Sequence, residues 1–145
     1  LIDNYNEHKK TIEKPTNKTN ELKIINSVYA FKIIAGASKK NKAADLFETL
    51  VKGNYIDITS KNDFIDAFIG KNPNKKINWI GAFGDLKSFI KYSISENLIE
   101  KVSTKWIYTT HLFTHRNNEI TNSSLNNAKI TTNDSSIKKI VKSIL

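Results

Sequence analysis

Most large apolar side chains in this chain of 145 residues recur three or four positions apart, in short stretches that end at glycine or asparagine. Residues at this spacing share one face of an α-helix, and short helices become stable when such faces are buried against each other. The chain therefore favours a mainly α fold with a small β component. We expect a helical domain in which short strands connect some of the helices.

Two helices are predicted first along the chain. One covers residues 21–37, and the next covers residues 38–51, where Ser38 can cap the first turn. The Gly-Asn pair at positions 53 and 54 provides a stop for the second helix. The buried face of the second helix is expected to comprise Ala43, Leu46, Phe47 and Leu50.

Short extended segments are predicted on either side of a third helix. Residues 55–58 alternate apolar and polar side chains, which is typical of a brief strand. The third helix opens at Thr59 or Ser60 and closes at Gly70, and residues 71–76 form a turn around Pro73. Residues 77–80 then predict a second short strand.

The C-terminal half predicts three helices and a polar loop. Helices are expected over residues 85–95 and 103–113, and a final helix begins at residue 135 or 136. Residues 117–134 are rich in Asn, Ser and Thr, so we expect a loop with one short helical turn. The final helix would bury Ile137, Ile140, Val141 and Ile144.

The domain organisation follows from these elements. Residues 21–145 are expected to form a single helical domain, and residues 77–145 have the strand, helix, helix and loop order of a winged-helix-like subunit. Its recognition helix would be residues 103–113. Residues 1–20 contain few large apolar side chains and predict a flexible leader or linker. Because methionine is absent even at position 1, we expect the chain to be a fragment of a longer protein.

The net charge of +9 favours a nucleic-acid partner, because lysine and arginine neutralise phosphates and release counterions. Of the 23 basic side chains, however, 22 are lysine, and asparagine and isoleucine are also abundant, which is the signature of an AT-rich genome. Arginine, the residue preferred for bidentate phosphate contacts, occurs once. The lysines therefore indicate nucleic-acid binding only where they cluster.

Such a cluster surrounds residues 103–113 and the final helix. Its basic side chains could contact phosphates, and one tyrosine could contact a phosphate or a base edge. Double-stranded DNA is the expected partner. The alternative is a solvated face on a protein-interaction or structural module, which would bind another protein or form a homodimer. The candidate contacts are Lys101, Lys105, Tyr108, Arg116, Lys129, Lys138, Lys139 and Lys142.

Patterns typical of catalysis are missing from the sequence. The absence of cysteine excludes thiolate nucleophiles, disulfides and cysteine-ligated zinc. Residues 81–84, Gly-Ala-Phe-Gly, lack the Gly-Lys-Ser/Thr of a phosphate-binding loop and predict a turn before a helix. Trp79 and Trp106 are expected in the core, with base stacking or peptide binding as the alternative. We therefore predict that the chain is not an enzyme and that it binds no cofactor.

A metal site and a membrane span are also not predicted. His111, His115 and Glu119 are spaced four apart and would share a helical face, but the Asn-Asn pair at positions 117 and 118 should end the helix before Glu119. No apolar run approaches the roughly 20 residues that cross a bilayer. We expect a cytoplasmic protein without a metal ion.

The residues Ile77-Asn78-Trp79-Ile80-Gly81, Leu86, Phe89, Leu98-Ile99 and Trp106 form a pattern of core residues. This pattern resembles the C-terminal region of the RteC family of Bacteroidetes conjugative transposons. The resemblance covers residues 46–145 and implies a winged-helix-like part that binds DNA and regulates excision genes of a mobile element. Where the family has a stretch rich in Arg and Lys, this chain has Asn-Asn-Ala-Lys at residues 126–129. The resemblance therefore does not assign the residues of the DNA-contacting surface.

Overall fold

The computed structural model describes residues 28–34 and 38–145, which form a mainly α fold with a small three-stranded sheet. This confirms the predicted fold class. The expected leader and the predicted helix at residues 21–27 and 35–37 lie outside the described residues. The elements are α1 (Lys39–Lys52), a 3-10 turn (Ile58–Ser60), α2 (Lys61–Phe68), β1 (Ile77–Trp79), α3 (Phe83–Ser95), α4 (Lys105–Leu112), β2 (Phe113–His115), β3 (Asn118–Glu119), α5 (Asn122–Asn127) and α6 (Asp134–Ile144).

Residues 28–34 correct the prediction of a helix in this region, because they are extended. Phe31 and Ile33 are buried while Lys32 and Ile34 are exposed, which is the alternation of a strand. The segment lies between two neighbours, the end of α2 and the connection from α3 to α4. Its amides donate to the carbonyls of Ala67, Phe68 and Leu98 at 2.8, 2.9 and 2.9 Å respectively. These partners satisfy backbone groups that a helix would have satisfied internally.

Helices α1 and α2 agree with the predicted pattern. The Ser38 hydroxyl accepts a hydrogen bond from the Asn41 amide at 3.4 Å, and Asn54 has the positive φ, 64°, of a residue that ends a helix. The 3-10 turn precedes α2, whose backbone ends next to Gly70 at φ 88°. The residues predicted for the inner face of α1, namely Ala43, Leu46, Phe47 and Leu50, are all buried.

The sheet places the end of α4 beside β1. Strand β2 pairs in parallel with β1, and β3 pairs with β2 in an antiparallel hairpin. Arg116 and Asn117 make the hairpin turn with φ of 49° and 67°, the left-handed pair that a tight two-residue turn requires. The predicted polar loop thus begins with this hairpin. Its expected helical turn is α5, which Thr121 and Ser124 stabilise through a reciprocal capping box.

An aromatic cluster joins the helices to the sheet. Phe64 and Phe68 of α2 stack at 4.4 Å between ring centres, and Phe89 of α3 lies 5.8 Å from Phe68. Trp79 of β1 is fully buried, 5.7 Å from Phe89 and 6.4 Å from Phe113. Burial of each ring contributes about 1.5–3 kcal/mol. The Trp79 indole N–H donates to the Ala82 carbonyl at 3.0 Å, so the side chain has the core position expected for it.

The loop from α5 to α6 is fixed on α3 by polar contacts. Asp85, which is 1% exposed, accepts hydrogen bonds from the Thr131 hydroxyl and from the side-chain amide of Asn133. Asp134, at the start of α6, accepts from the Ser88 hydroxyl at 2.7 Å and the Tyr92 hydroxyl at 2.5 Å. A buried carboxylate needs such donors to offset the loss of its hydration. The contacts therefore determine where the loop and α6 lie.

Candidate nucleic-acid interface

A groove lined by three lysines lies between the end of α3 and the start of α4. Its volume is about 210 Å³, and none of the described residues that line it is acidic. Lys91 and Lys101 are exposed, and Lys105 is half-buried. Positive charges that converge on one concavity create a local potential that attracts anions. The lysine groove, as we call it, is lined by Lys91, Ile94, Ser95, Lys101, Val102 and Lys105.

Lys105 also contacts the aromatic residue that follows it. Its ammonium nitrogen lies 5.0 Å from the centre of the Trp106 ring, within the range of a cation–π interaction. Trp106 is half-buried and packs at the edge of the core, so it is less enclosed than Trp79. Lys105 therefore both lines the lysine groove and contacts the Trp106 ring.

Lys138 on α6 is linked to the lysine groove through α3. Its ammonium group lies 5.5 Å from the centre of the Tyr92 ring. Hydrogen bonds from Tyr92 and Ser88 lower the pKa of Asp134, and the nearby charges of Lys91 and Lys138 lower it further. The hydrogen bond to Asp134 raises the pKa of Tyr92. The charges of Lys91 and Lys138 therefore both act on the Asp134 carboxylate.

The other predicted contacts on α4 and the hairpin are only partly available to a ligand. The Tyr108 ring packs 5.6 Å from both Phe31 and Tyr29, which covers part of its surface. Arg116 is exposed at the hairpin turn, where its Nε donates to the Ile80 carbonyl at 3.3 Å. Neither residue lines the lysine groove.

Lys129, Lys139 and Lys142 are exposed at other places on the surface. Lys129 lies at the start of α3, because its carbonyl contacts the position of Gly84. As α3 has 13 residues, its two ends are about 20 Å apart, with Lys129 at one end and the lysine groove at the other. Lys139 and Lys142 lie on α6 and make no ion pair with any residue that the structure describes.

The groove is distinguished by its geometry rather than by the number of lysines nearby. Residues 28–82 and 83–145 each contain nine basic and five acidic side chains, so the C-terminal half carries no additional net charge. Lys91 was missed by the sequence reasoning because it lies on α3, ten residues before Lys101. Only the turn of the chain between α3 and α4 brings it to the groove.

His111, His115 and Glu119, the three residues considered as metal ligands, each contact different neighbours. Helix α4 ends at Leu112, so His115 and Glu119 fall on the hairpin. The His111 ring stacks 3.9 Å from Tyr29, His115 Nε2 lies 2.9 Å from the Gly81 carbonyl, and Glu119 pairs with Lys76 at 2.5 Å. Within residues 28–34 and 38–145, no three His, Asp or Glu side chains are grouped as metal ligands.

A polar pocket of about 370 Å³, which the sequence did not predict, lies beside the β2–β3 hairpin. Its side chains are largely bonded to one another or to nearby backbone: Asp63 accepts from the backbone amides of Asn74 and Lys75, and Asn78 accepts from the Thr114 hydroxyl at 3.2 Å. Hydrogen bonds from Thr59 lower the pKa of Asp57 in the same pocket. Its carboxylates disfavour phosphate. The lining residues are Asp57, Thr59, Ser60, Asp63, Lys75, Lys76, Asn78, Thr114, Asn117 and Glu119.

Two further findings concern the chain as a whole. Among the helices in the described part of the chain, none combines the length and the apolar character needed to cross a membrane. Comparisons with protein-family models, with curated proteins and with solved structures found no match to the chain.

Proposed function

We propose that this chain is a DNA-binding regulatory domain that contacts the phosphate backbone through the lysine groove and Lys138. The observation that supports this proposal is the convergence of Lys91, Lys101 and Lys105 on one groove whose described lining residues include no carboxylate. Each lysine that neutralises a phosphate releases counterions, which provides affinity independent of sequence. The proposal assigns the chain no catalytic step.

The order of elements around the groove agrees with a winged-helix-like role. Strand β1, helices α3 and α4 and the β2–β3 hairpin follow one another along the chain, so α4 is the candidate recognition helix and the hairpin is the candidate wing. Lys129, about 20 Å away along α3, would meet a phosphate about six base pairs further along the duplex. The resemblance to RteC proteins adds regulation in a mobile element to this proposal, and we also propose a cytoplasmic location.

Fluorescence anisotropy with a labelled 20-base-pair duplex tests the proposal. The test variant carries Lys91→Glu, Lys101→Glu and Lys105→Glu, and the matched control carries Lys39→Glu, Lys40→Glu and Lys52→Glu on α1. Both variants have the same net charge. We expect the parent chain to bind with a Kd of about 10⁻⁴ to 10⁻⁶ M at physiological salt. The groove variant should bind at least about tenfold more weakly, and its salt dependence should be shallower by about three counterions.

The control separates a defined surface from a diffuse charge effect. It should retain the affinity of the parent chain within about threefold, because its lysines lie on another helix. Equal weakening of both variants would reject the lysine groove as the DNA-contacting surface. Absence of binding by the parent chain would instead favour the alternative, a protein-interaction module. Exposed Ile58 and Ile130, at 70% and 60%, are candidate contacts for such a module.

A further inference from the structure

The lysine groove is adjacent to a second pocket with a different chemistry. This pocket has a volume of about 170 Å³, and Lys105 lines both cavities. Trp106 and Ile107 provide an aromatic and an aliphatic wall, and Ile107 is 38% exposed. We call this cavity the Trp106 pocket; its lining residues are Ser103, Thr104, Lys105, Trp106, Ile107 and Asn122.

The polar side chains of the Trp106 pocket are available to a ligand. Thr104 is the N-cap residue of α4, but its hydroxyl makes no capping hydrogen bond. The side chains of Ser103, Thr104 and Asn122 form no hydrogen bond with any other residue in the described part of the chain. This contrasts with the larger polar pocket beside the hairpin, where the corresponding groups bond to one another. An aromatic ring can stack on a flat heterocycle, and hydroxyl and amide groups beside that ring can hydrogen bond to the edge of the heterocycle.

A nucleobase has the chemistry that these two adjoining cavities accommodate. Its ring stacks on aromatic side chains, its edge carries donors and acceptors, and its phosphate needs a cation nearby. Lys105 lines both pockets, so its ammonium group can pass from the Trp106 ring to a phosphate and leave that ring face for the base of the same nucleotide. In a duplex the faces of each base are covered by its neighbours, so the Trp106 pocket suits an unpaired base.

We propose that the Trp106 pocket binds an unpaired nucleobase whose phosphate lies in the lysine groove, so that the domain prefers single-stranded DNA to duplex DNA. This inference rests on the proposed function, because it uses the same groove for the phosphate. It adds a base-binding subsite and a preference for DNA that is locally unpaired.

Tryptophan fluorescence and anisotropy with oligothymidylate of 12 nucleotides test this preference in the full chain. Binding should change the emission of Trp106, whereas Trp79 is fully buried and should not respond. Trp106→Ala should weaken binding of the oligonucleotide by about 5- to 150-fold, and should weaken duplex binding by less than about threefold. Trp106→Phe retains an aromatic ring, so it should remove the emission change and lose less affinity than Trp106→Ala.

A second pair of variants distinguishes a loss of binding from a loss of folding. Ile107→Glu places a negative charge in the Trp106 pocket at a partly exposed position, and Ile58→Glu makes the same change at an exposed position before α2. Only Ile107→Glu should weaken binding of oligothymidylate, by at least about tenfold, with circular dichroism spectra unchanged in both variants. An equal effect of the two substitutions would overturn the base-binding subsite.

The outcomes separate this inference from the function on which it rests. If the duplex binds as tightly as oligothymidylate and only the lysine reversals weaken binding, the base-binding subsite is rejected and the DNA-binding function stands. If neither probe binds, both proposals fail. If oligothymidylate binds more tightly and Trp106→Ala removes the difference, the inference is supported.

Discussion

At the scale of single residues, Asp134 makes the stability of the contact between α3 and α6 depend on the pH of the solution. Its carboxylate accepts hydrogen bonds from Tyr92 and Ser88, and these bonds hold its pKa below the usual value for aspartate. The folded state therefore binds this proton less readily than the unfolded state. The resulting stabilisation of the folded state is complete above the pKa that Asp134 has in the unfolded chain, about 4. It is lost as the pH falls through the lower pKa of Asp134 in the folded state.

Asp134→Asn should reduce the dependence of stability on pH in the acid range. We expect the parent chain to lose more free energy of unfolding between pH 6 and pH 3 than the variant does, because asparagine has no proton to gain. Urea unfolding at pH 6, 5, 4 and 3 measures the difference. Asp45→Asn, at an exposed carboxylate on α1, is the control and should behave as the parent chain does. An unchanged slope in Asp134→Asn would contradict the assignment.

At the scale of elements, the close approach of the α5–α6 loop to α3 depends on Gly84. A Cβ atom at this position would overlap the carbonyl oxygen of Lys129, which is backbone and cannot rotate away. Glycine in a helix is otherwise unfavourable, and alanine at a free helical position would stabilise by roughly 1 kcal/mol. Packing therefore predicts that alanine at position 84 lowers the free energy of unfolding, whereas helix propensity predicts that it raises it.

Gly84→Ala should destabilise the protein despite the better helix propensity of alanine. Displacing the loop is expected to cost about 1–3 kcal/mol, the range observed for overpacked sites. Urea unfolding at neutral pH measures the change in the free energy of unfolding. A value equal to or above that of the parent chain would show that the loop moves without cost.

The extended segment at residues 28–34 shows where element prediction from sequence is ambiguous. Val28, Tyr29 and Ile33 fit the spacing of a helix, while the pair Phe31 and Ile33 fits the alternation of a strand. The unpaired backbone at the end of α2 and at residues 98–100 provides hydrogen bonds on both sides of the segment. Those partners are far apart in sequence, so local periodicity cannot reveal them.

At the scale of the whole molecule, one contiguous core runs through all the described helices and the extended segment. Phe64 of α2 lies 6.4 Å from Phe89 of α3, and Phe68 lies 6.5 Å from Phe113 of β2. The proposed winged-helix-like part, residues 77–145, thus shares its core with α1 and α2. Shared burial couples the unfolding of elements that contact each other.

The protein should therefore unfold in one cooperative transition. In the Trp106→Phe variant, tryptophan emission comes from the buried Trp79 alone, which reports on the core between β1, α3 and β2. Urea curves from this emission and from far-ultraviolet circular dichroism should coincide. Two separated transitions would mean that residues 77–145 unfold independently, which would support their treatment as a separate subunit.

Only part of the candidate site could be predicted from the sequence. The sequence identified Lys101 and Lys105, because they lie next to a predicted helix. It placed Trp106 in the core, with base stacking or peptide binding as the alternative, whereas the structure shows it half-buried. It did not identify Lys91, and it offered no means of separating the groove from Lys139 and Lys142 on α6. The membership of a groove depends on distances between elements, which charge and spacing along the chain do not contain.

Local sequence determined the helical character of this protein, the cap at Ser38, the stop after α1 and the inward faces of its helices, because these depend on residues within one or two turns of each other. The tertiary structure alone decided that residues 28–34 are extended and that Lys91 joins Lys101 and Lys105. The physical reason is that backbone hydrogen bonds between distant segments and the convergence of charges arise only when the chain closes around its aromatic core.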